Sequence, residues 1–193
     1  MNQHHYSRLL SLGSLLGALM IAGAAQAQSN VYPITVSASV VASAAPGQII
    51  MDIFNGAGHG NFGWLTWNGD TTEAALITSL TGAGNVSTYI NPDTSNNEQL
   101  AVGDWVLSKQ RVSNSINVRN ALDNLEDSEI MLPVWDQVRG SGTTLAYHIS
   151  GFAKVQIKGY RLPGQSRVTV LFLGVFDNPS GDNGGGNDGG PGV

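Results

Sequence analysis

The clearest pattern in the chain is a two-residue period over residues 145–157. Leu145, Tyr147, Ile149, Gly151, Ala153, Val155 and Ile157 fall on one face, while His148, Ser150, Lys154, Gln156 and Lys158 fall on the other. Successive strand side chains point to opposite sides, so this alternation predicts a half-buried β-strand. Ala146 and Phe152 interrupt the polar face, and Gly151 is expected to mark a bulge or bend. A turn at Leu162-Pro163-Gly164 returns the chain into Arg167–Phe176, which is apolar on both faces. That run is expected to be a central strand, antiparallel to the first.

Weaker patterns fill in the remainder. Residues 32–42 alternate loosely and read as a first strand or a mobile lead-in, and residues 48–54, entered through Pro46-Gly47, read as a strand. Residues 55–69 combine five Gly with Trp64 and Trp67, which suits a turn and then a short strand over 62–67. Asp70 as cap, Glu73 completing a capping box, and Ala74, Ala75, Leu76, Ile77 and Leu80 predict a helix that stops at Gly82-Ala83-Gly84. Residues 85–101 are polar and loop-like, and 102–107 lead into a strand. A second helix is expected over about 115–125, with Ile116, Ala121, Leu122 and Leu125 inward and Arg119 one turn from Asp123. Residues 130–135 read as an edge or bulged strand, because Pro133 has no N–H to give to a ladder. The sum is an α+β, β-rich domain: a mainly antiparallel sheet, sandwich or partly open barrel, with two short helices.

The two ends change this picture. Residues 1–27 have a basic start (His4, His5, Arg8), an uncharged apolar run over 9–25, and the small-x-small triplet Ala25-Gln26-Ala27. A signal peptidase admits only small side chains at those two positions, so a cleaved signal ending before Gln28 is expected. The apolar run is short for a membrane span, and Gly13, Gly17 and Gly23 weaken it as a lasting helix. No stable membrane span is therefore expected after cleavage, and without Cys no lipid can be attached. Residues 178–193 collapse into Gly, Asn and Asp with nothing to bury, which predicts a flexible tail. One domain over 28–177 remains, exported to the periplasm, the cell surface or the medium.

Composition narrows the function. Losing Arg8 with the signal takes the formal charge from −5 to −6, which gives no electrostatic reason to expect nucleic acid as partner. The absence of Cys removes disulfides, thiol catalysis and thiolate metal sites. The mature histidines, His59 and His148, lie outside any HExxH pattern, and no serine sits in a GxSxG elbow. Asp52, Asp104 and Asp136 are possible partners for either histidine, but spacing selects none of them. Asp182, Asn183, Asn187 and Asp188 lack the repeat spacing of calcium-binding turns, and Asp93-Thr94-Ser95-Asn96-Asn97 falls one residue short of a metal-dependent adhesion pattern. No catalytic residue, metal site or cofactor is assigned. Binding candidates are Trp64 and Trp67 with Lys154 and Lys158, the two lysines continuing through Arg161 and Arg167 as a basic stripe or a solvated sheet face.

A series of short motifs carries one resemblance. In order they are Gly60-Asn61-Phe62-Gly63-Trp64-Leu65, Gly103-Asp104-Trp105-Val106, and Arg119 with Leu122-Asp123. Then follow Leu132-Pro133-Val134-Trp135-Asp136, Tyr147-His148-Ile149-Ser150-Gly151-Phe152-Ala153, and Ile157-Lys158-Gly159-Tyr160. The series covers about residues 47–176 and resembles the exported C-terminal region of TadG-like proteins of tight-adherence (Flp) pilus systems. The resemblance implies a bacterial, envelope-exposed, non-enzymatic role in pilus assembly or surface attachment, with envelope or pilus proteins as partners. TadG-like proteins usually keep an N-terminal membrane helix, which a cleavable signal replaces here, so a free-standing secreted relative fits equally well. Two other readings are a secreted polysaccharide-binding module using Trp64, Trp67, Lys154 and Lys158, and a hydrolase built on His59 or His148.

Overall fold

The computed structural model describes residues 30–54, 64–82, 84–96, 99–109, 114–162 and 167–179, without the side chains of Asp52 and Phe54. His59, the signal segment and the Gly-rich tail beyond residue 179 lie outside this description. The elements in chain order are β1 (Val36–Ser37), α1 (Ala38–Ala42), β2 (Ile49–Phe54), β3 (Leu65–Thr66), α2 (Glu73–Thr81), β4 (Trp105–Ser108), α3 (Ile116–Asp123), β5 (Glu129–Arg139), β6 (Ala146–Arg161) and β7 (Arg167–Phe176). Together the strands form one open, mixed, seven-stranded sheet, which with the helices makes an α+β fold.

Strand β6 is the hub. One edge pairs antiparallel with β5 along nearly its whole length. The other edge pairs first with β4, through Trp105↔His148 to Leu107↔Ala146, and then with β7, through Phe152↔Phe176 to Arg161↔Arg167. β3 extends the sheet beyond β4, and β2 extends it beyond β7. β1 runs parallel to β5 and makes the sheet mixed. Residues 32–42, read as a strand or lead-in, give two strand residues and then a five-residue helix capped by the Ser37 side chain on Ser39 N–H.

Two compensating bulges organise the β5–β6 pair. Val134 faces Gly151 but Trp135 faces Ile149, so Ser150 is an extra residue in β6. Trp135 faces Ile149 but Gln137 faces His148, so Asp136 is an extra residue in β5. An inserted residue switches which face the following side chains occupy. Tyr147 and Ile149 therefore share a core with Phe152, whereas Ala153, Val155 and Ile157 belong to a different one. The single apolar face of residues 145–157 serves both sides of the sheet. The bend expected at Gly151 is this bulge.

One core lies under the helices. Leu76 and Leu80 of α2 and Val118 and Leu122 of α3 pack with Ile130, Leu132, Val155, Ile157 and Val170. The other lies across the sheet, where Tyr89 and Leu100, both buried, anchor the polar segment 85–101 over Val106, Met131, Tyr147 and Phe152.

Local signals worked with small displacements, except that Ile116, expected inward, is 58% exposed while Val118 is buried. The α2 cap is Thr72, whose hydroxyl accepts from Ala75 N–H, while Asp70 accepts from Thr72 N–H at 2.8 Å just outside the helix. Ser115 caps α3 at its start and Asn124 closes it after Asp123. Pro133 sits on an interior strand: β6 flanks one side, the 30–37 segment flanks the other, and the buried Thr35 hydroxyl donates to its carbonyl at 2.8 Å. The strand is bulged just beyond Val134 but is not an edge strand, so of the two readings the bulged one holds.

Candidate functional site

The displaced register brings a polar and aromatic ridge together on the open part of the sheet. Trp105, His148 and Gln137 are in register across β4, β6 and β5. The extra residue Asp136 reaches back to His148, placing its Oδ1 2.6 Å from Nδ1. The Trp105 ring tilts against the His148 ring at 5.2 Å between centroids, and the Arg139 guanidinium lies 4.2 Å above the Trp105 ring. Arg139 also pairs with Asp93, tying segment 85–101 to the end of β5. Asp136, His148, Trp105, Arg139 and Asp93 form one connected array.

Below the ridge, the turn into β4 is held by Asp104. Its Oδ2 accepts from Ala101 N–H at 2.8 Å, and its Oδ1 lies 3.4 Å from the Asn91 amide. Tyr89 donates its hydroxyl to the Trp105 carbonyl at 3.0 Å. Of the possible histidine partners, Asp104 holds a turn instead, whereas Asp136 meets His148. A second group of motif residues meets at α3: the Tyr160 hydroxyl donates to Asp123 at 2.7 Å and reaches the Arg119 carbonyl at 3.4 Å. Burial first, and then the Asp123 carboxylate, push the Tyr160 phenol up to about 12.

The binding residues expected from sequence are not brought together. Trp64 and Trp67 are each only 2% exposed and belong to different cores, so neither ring offers a face to a sugar. The Trp67 indole N–H donates to the Gly84 carbonyl at 2.6 Å. Lys154 pairs with Glu129 at 2.7 Å and Lys158 pairs with Asp127, so the basic stripe is interleaved with acid from the β5 side. Such exposed pairs contribute little to stability.

Sequence reasoning missed Arg139 and the choice of Asp136 as the His148 partner. The signal for the latter was present only in combination: a Trp-Asp step on one strand opposite a Tyr-His step on the next, joined by a bulge. Among the described residues no group of three or more His, Asp or Glu side chains is placed to hold a metal ion. Also among them, no helix is long and apolar enough to cross a membrane.

No protein-family model and no solved structure matches the chain. Among curated proteins it is similar to an erythronate-4-phosphate dehydrogenase of Pseudomonas fluorescens strain SBW25, at 33% identity over 104 residues. That match takes in 53% of this chain and 27% of the dehydrogenase, so the chain spans about a quarter of that relative's length.

Proposed function

We propose that this chain is an exported, non-enzymatic structural or interaction domain of the bacterial cell envelope, of the pilus-assembly or attachment kind. The observation that carries the reading is the fate of the ordered motifs. Asp104 holds a turn, Gly151 adjoins a bulge, Arg119, Asp123 and Tyr160 tie a helix to the sheet, and Trp105, Asp136 and His148 form a half-exposed ridge. The His148–Asp136 pair is oriented as a base would be, but the group facing it is an indole ring, which is no nucleophile. Rigid aromatic and charged groups fixed across three strands suit recognition of a partner surface. The apolar leader of residues 1–27 supports export.

Dehydrogenase chemistry is not carried over from the partial likeness. Dinucleotide folds need parallel strands joined by crossover helices, with a Gly-rich turn opening a helix. Here β2, β5, β6 and β7 are joined antiparallel. Residues 58–63 spell G-x-G-x-x-G after β2, yet the chain continues into an isolated bridge at Trp64 and then β3. An exposed sugar platform on Trp64 and Trp67 is likewise disfavoured by their burial.

The test is a deletion strain of the native host, scored for surface fibres and attached cells. Attachment should fall and return with the full chain, but not with residues 28–193 expressed without the leader. Unchanged fibres and attachment in the deletion strain would contradict the reading.

A further inference from the structure

The turn that joins β3 to α2 places the pair Asn68-Gly69 on the surface, with both residues exposed. The Asn68 carboxamide is held in one direction. Its Oδ1 accepts from the Asp70 N–H at 3.0 Å, which folds the side chain forward over the Gly69 peptide. The ends of the turn are pinned as well. The Thr66 hydroxyl donates to the Asp70 carbonyl at 2.9 Å, and the Ile90 N–H donates to the Trp67 carbonyl at 2.7 Å. Gly69 has a φ of +80°, and even an added Cβ there would meet only Leu107 Cδ1, at 3.8 Å. Water and base therefore have an open approach to this peptide. Asn91 repeats the hydrogen bond and supplies a contrast. Its Oδ1 accepts from the Asp93 N–H at 2.9 Å, but Asn91 is buried and the residue between is Pro92, whose nitrogen has no proton to lose.

The exposed turn has the parts of an intramolecular acyl transfer: an electrophilic carbon, a nitrogen held beside it, and a donor already on the oxygen that becomes negative. We infer that Asn68 is a self-modification site, at which the folded protein converts asparagine into aspartate and isoaspartate through a succinimide. Base takes the Gly69 amide proton, and the Gly69 nitrogen bonds to Asn68 Cγ. Charge develops on Oδ1, where the Asp70 N–H receives it. The Cγ–Nδ2 bond then breaks, and ammonia leaves with a proton from water. Water opens the ring at Cγ to give aspartate, or at the Asn68 main-chain carbonyl carbon to give isoaspartate. The second product adds one carbon to the backbone between two pinned carbonyls, which works against the Thr66–Asp70 bond. The inference stands apart from the envelope reading, and purified protein tests it.

The protein is incubated at mildly alkaline pH in buffer and in concentrated urea, then digested and followed by peptide mass. Electron-transfer fragmentation tells isoaspartate from aspartate. Asn183-Gly184 carries the same dipeptide outside the described residues and serves as the reference for what urea does to the chemistry itself. The rate at Asn68 relative to Asn183 should be about fivefold higher in buffer than in urea, the gain expected when one neutral hydrogen bond becomes charge-assisted. Isoaspartate should be among the products, and Asn91 should stay intact in both conditions. A relative rate in buffer no higher than in urea overturns the inference, because the fold would then protect Asn68. So does aspartate without isoaspartate, or loss of ammonia from Asn91 as fast as from Asn68, either of which means direct hydrolysis by water.

Discussion

Gly84 and Tyr160 show how much one residue carries here. A Cβ at Gly84 would lie 1.7 Å from the Val31 carbonyl oxygen, and its φ of +79° is itself a left-handed value. Gly84→Ala must move backbone that also receives the Trp67 indole, so it should cost at least about 2 kcal/mol. Gly47 has a similar φ of +87° but open space around an added Cβ, so Gly47→Ala should cost only about 1 kcal/mol. Urea unfolding of both variants checks the contrast, and equal losses would remove the close approach as the cause. Tyr160 acts through its proton. Its phenol is raised from 10.0 to about 12 in the folded protein by burial and by Asp123, so the folded state holds that proton more tightly than the unfolded chain. Its contribution is fully present below pH 10 and is lost as pH rises through about 12. Tyr160→Phe should therefore show a shallower fall in melting temperature across that window than the parent. Tyr32 and Tyr147, both raised by burial, act in the same direction and remain in the variant, so its slope is not zero.

At the scale of elements, the single inserted residue Ser150 decides what β6 does. It lets Tyr147 and Ile149 face one core and Val155 and Ile157 face the other. Deleting Ser150 would force one half of the strand to turn its apolar face the wrong way. The deletion variant should lose cooperative unfolding by circular dichroism, whereas Ser150→Ala, which keeps the residue count, should unfold cooperatively. A cooperative deletion variant would show that the bulge is dispensable. This element also marks how far the sequence could be read. Alternation located β6, and Gly151 marked its bend, because strand period and backbone freedom are local properties. The face switch was hidden because Gly151 reads as neutral on either side; Phe152, which seemed to interrupt a polar face, was its one visible trace. Helix positions were legible from apolar spacing, while the α2 cap moved from Asp70 to Thr72 because both offer an oxygen to free N–H groups. Burial of Trp64 and Trp67 was not legible, since it depends on parts of the chain that spacing does not bring together: the helix-side core for Trp64 and segment 85–101, on the opposite face, for Trp67. The His148–Asp136 pairing depends on cross-strand register, which spacing along one strand does not contain.

For the whole molecule, the described residues build one sheet with a core on each side, closed by helices on one and by segment 85–101 on the other. No cysteine contributes, so packing and hydrogen bonds hold the fold without a disulfide. Among the described residues the surface carries a fixed ridge of Trp105, His148 and Arg139, paired charges of low energetic weight, and exposed apolar side chains such as Met51 and Ile116. On the proposed reading the domain works by where it is placed and what it touches, so everything turns on its location. The most direct measurement is the N-terminal peptide mass of the native protein, recovered separately from cytoplasm, periplasm and medium. A chain beginning at Gln28 and found outside the cytoplasm is the expected result. A chain beginning at Met1 and confined to the cytoplasm would contradict it.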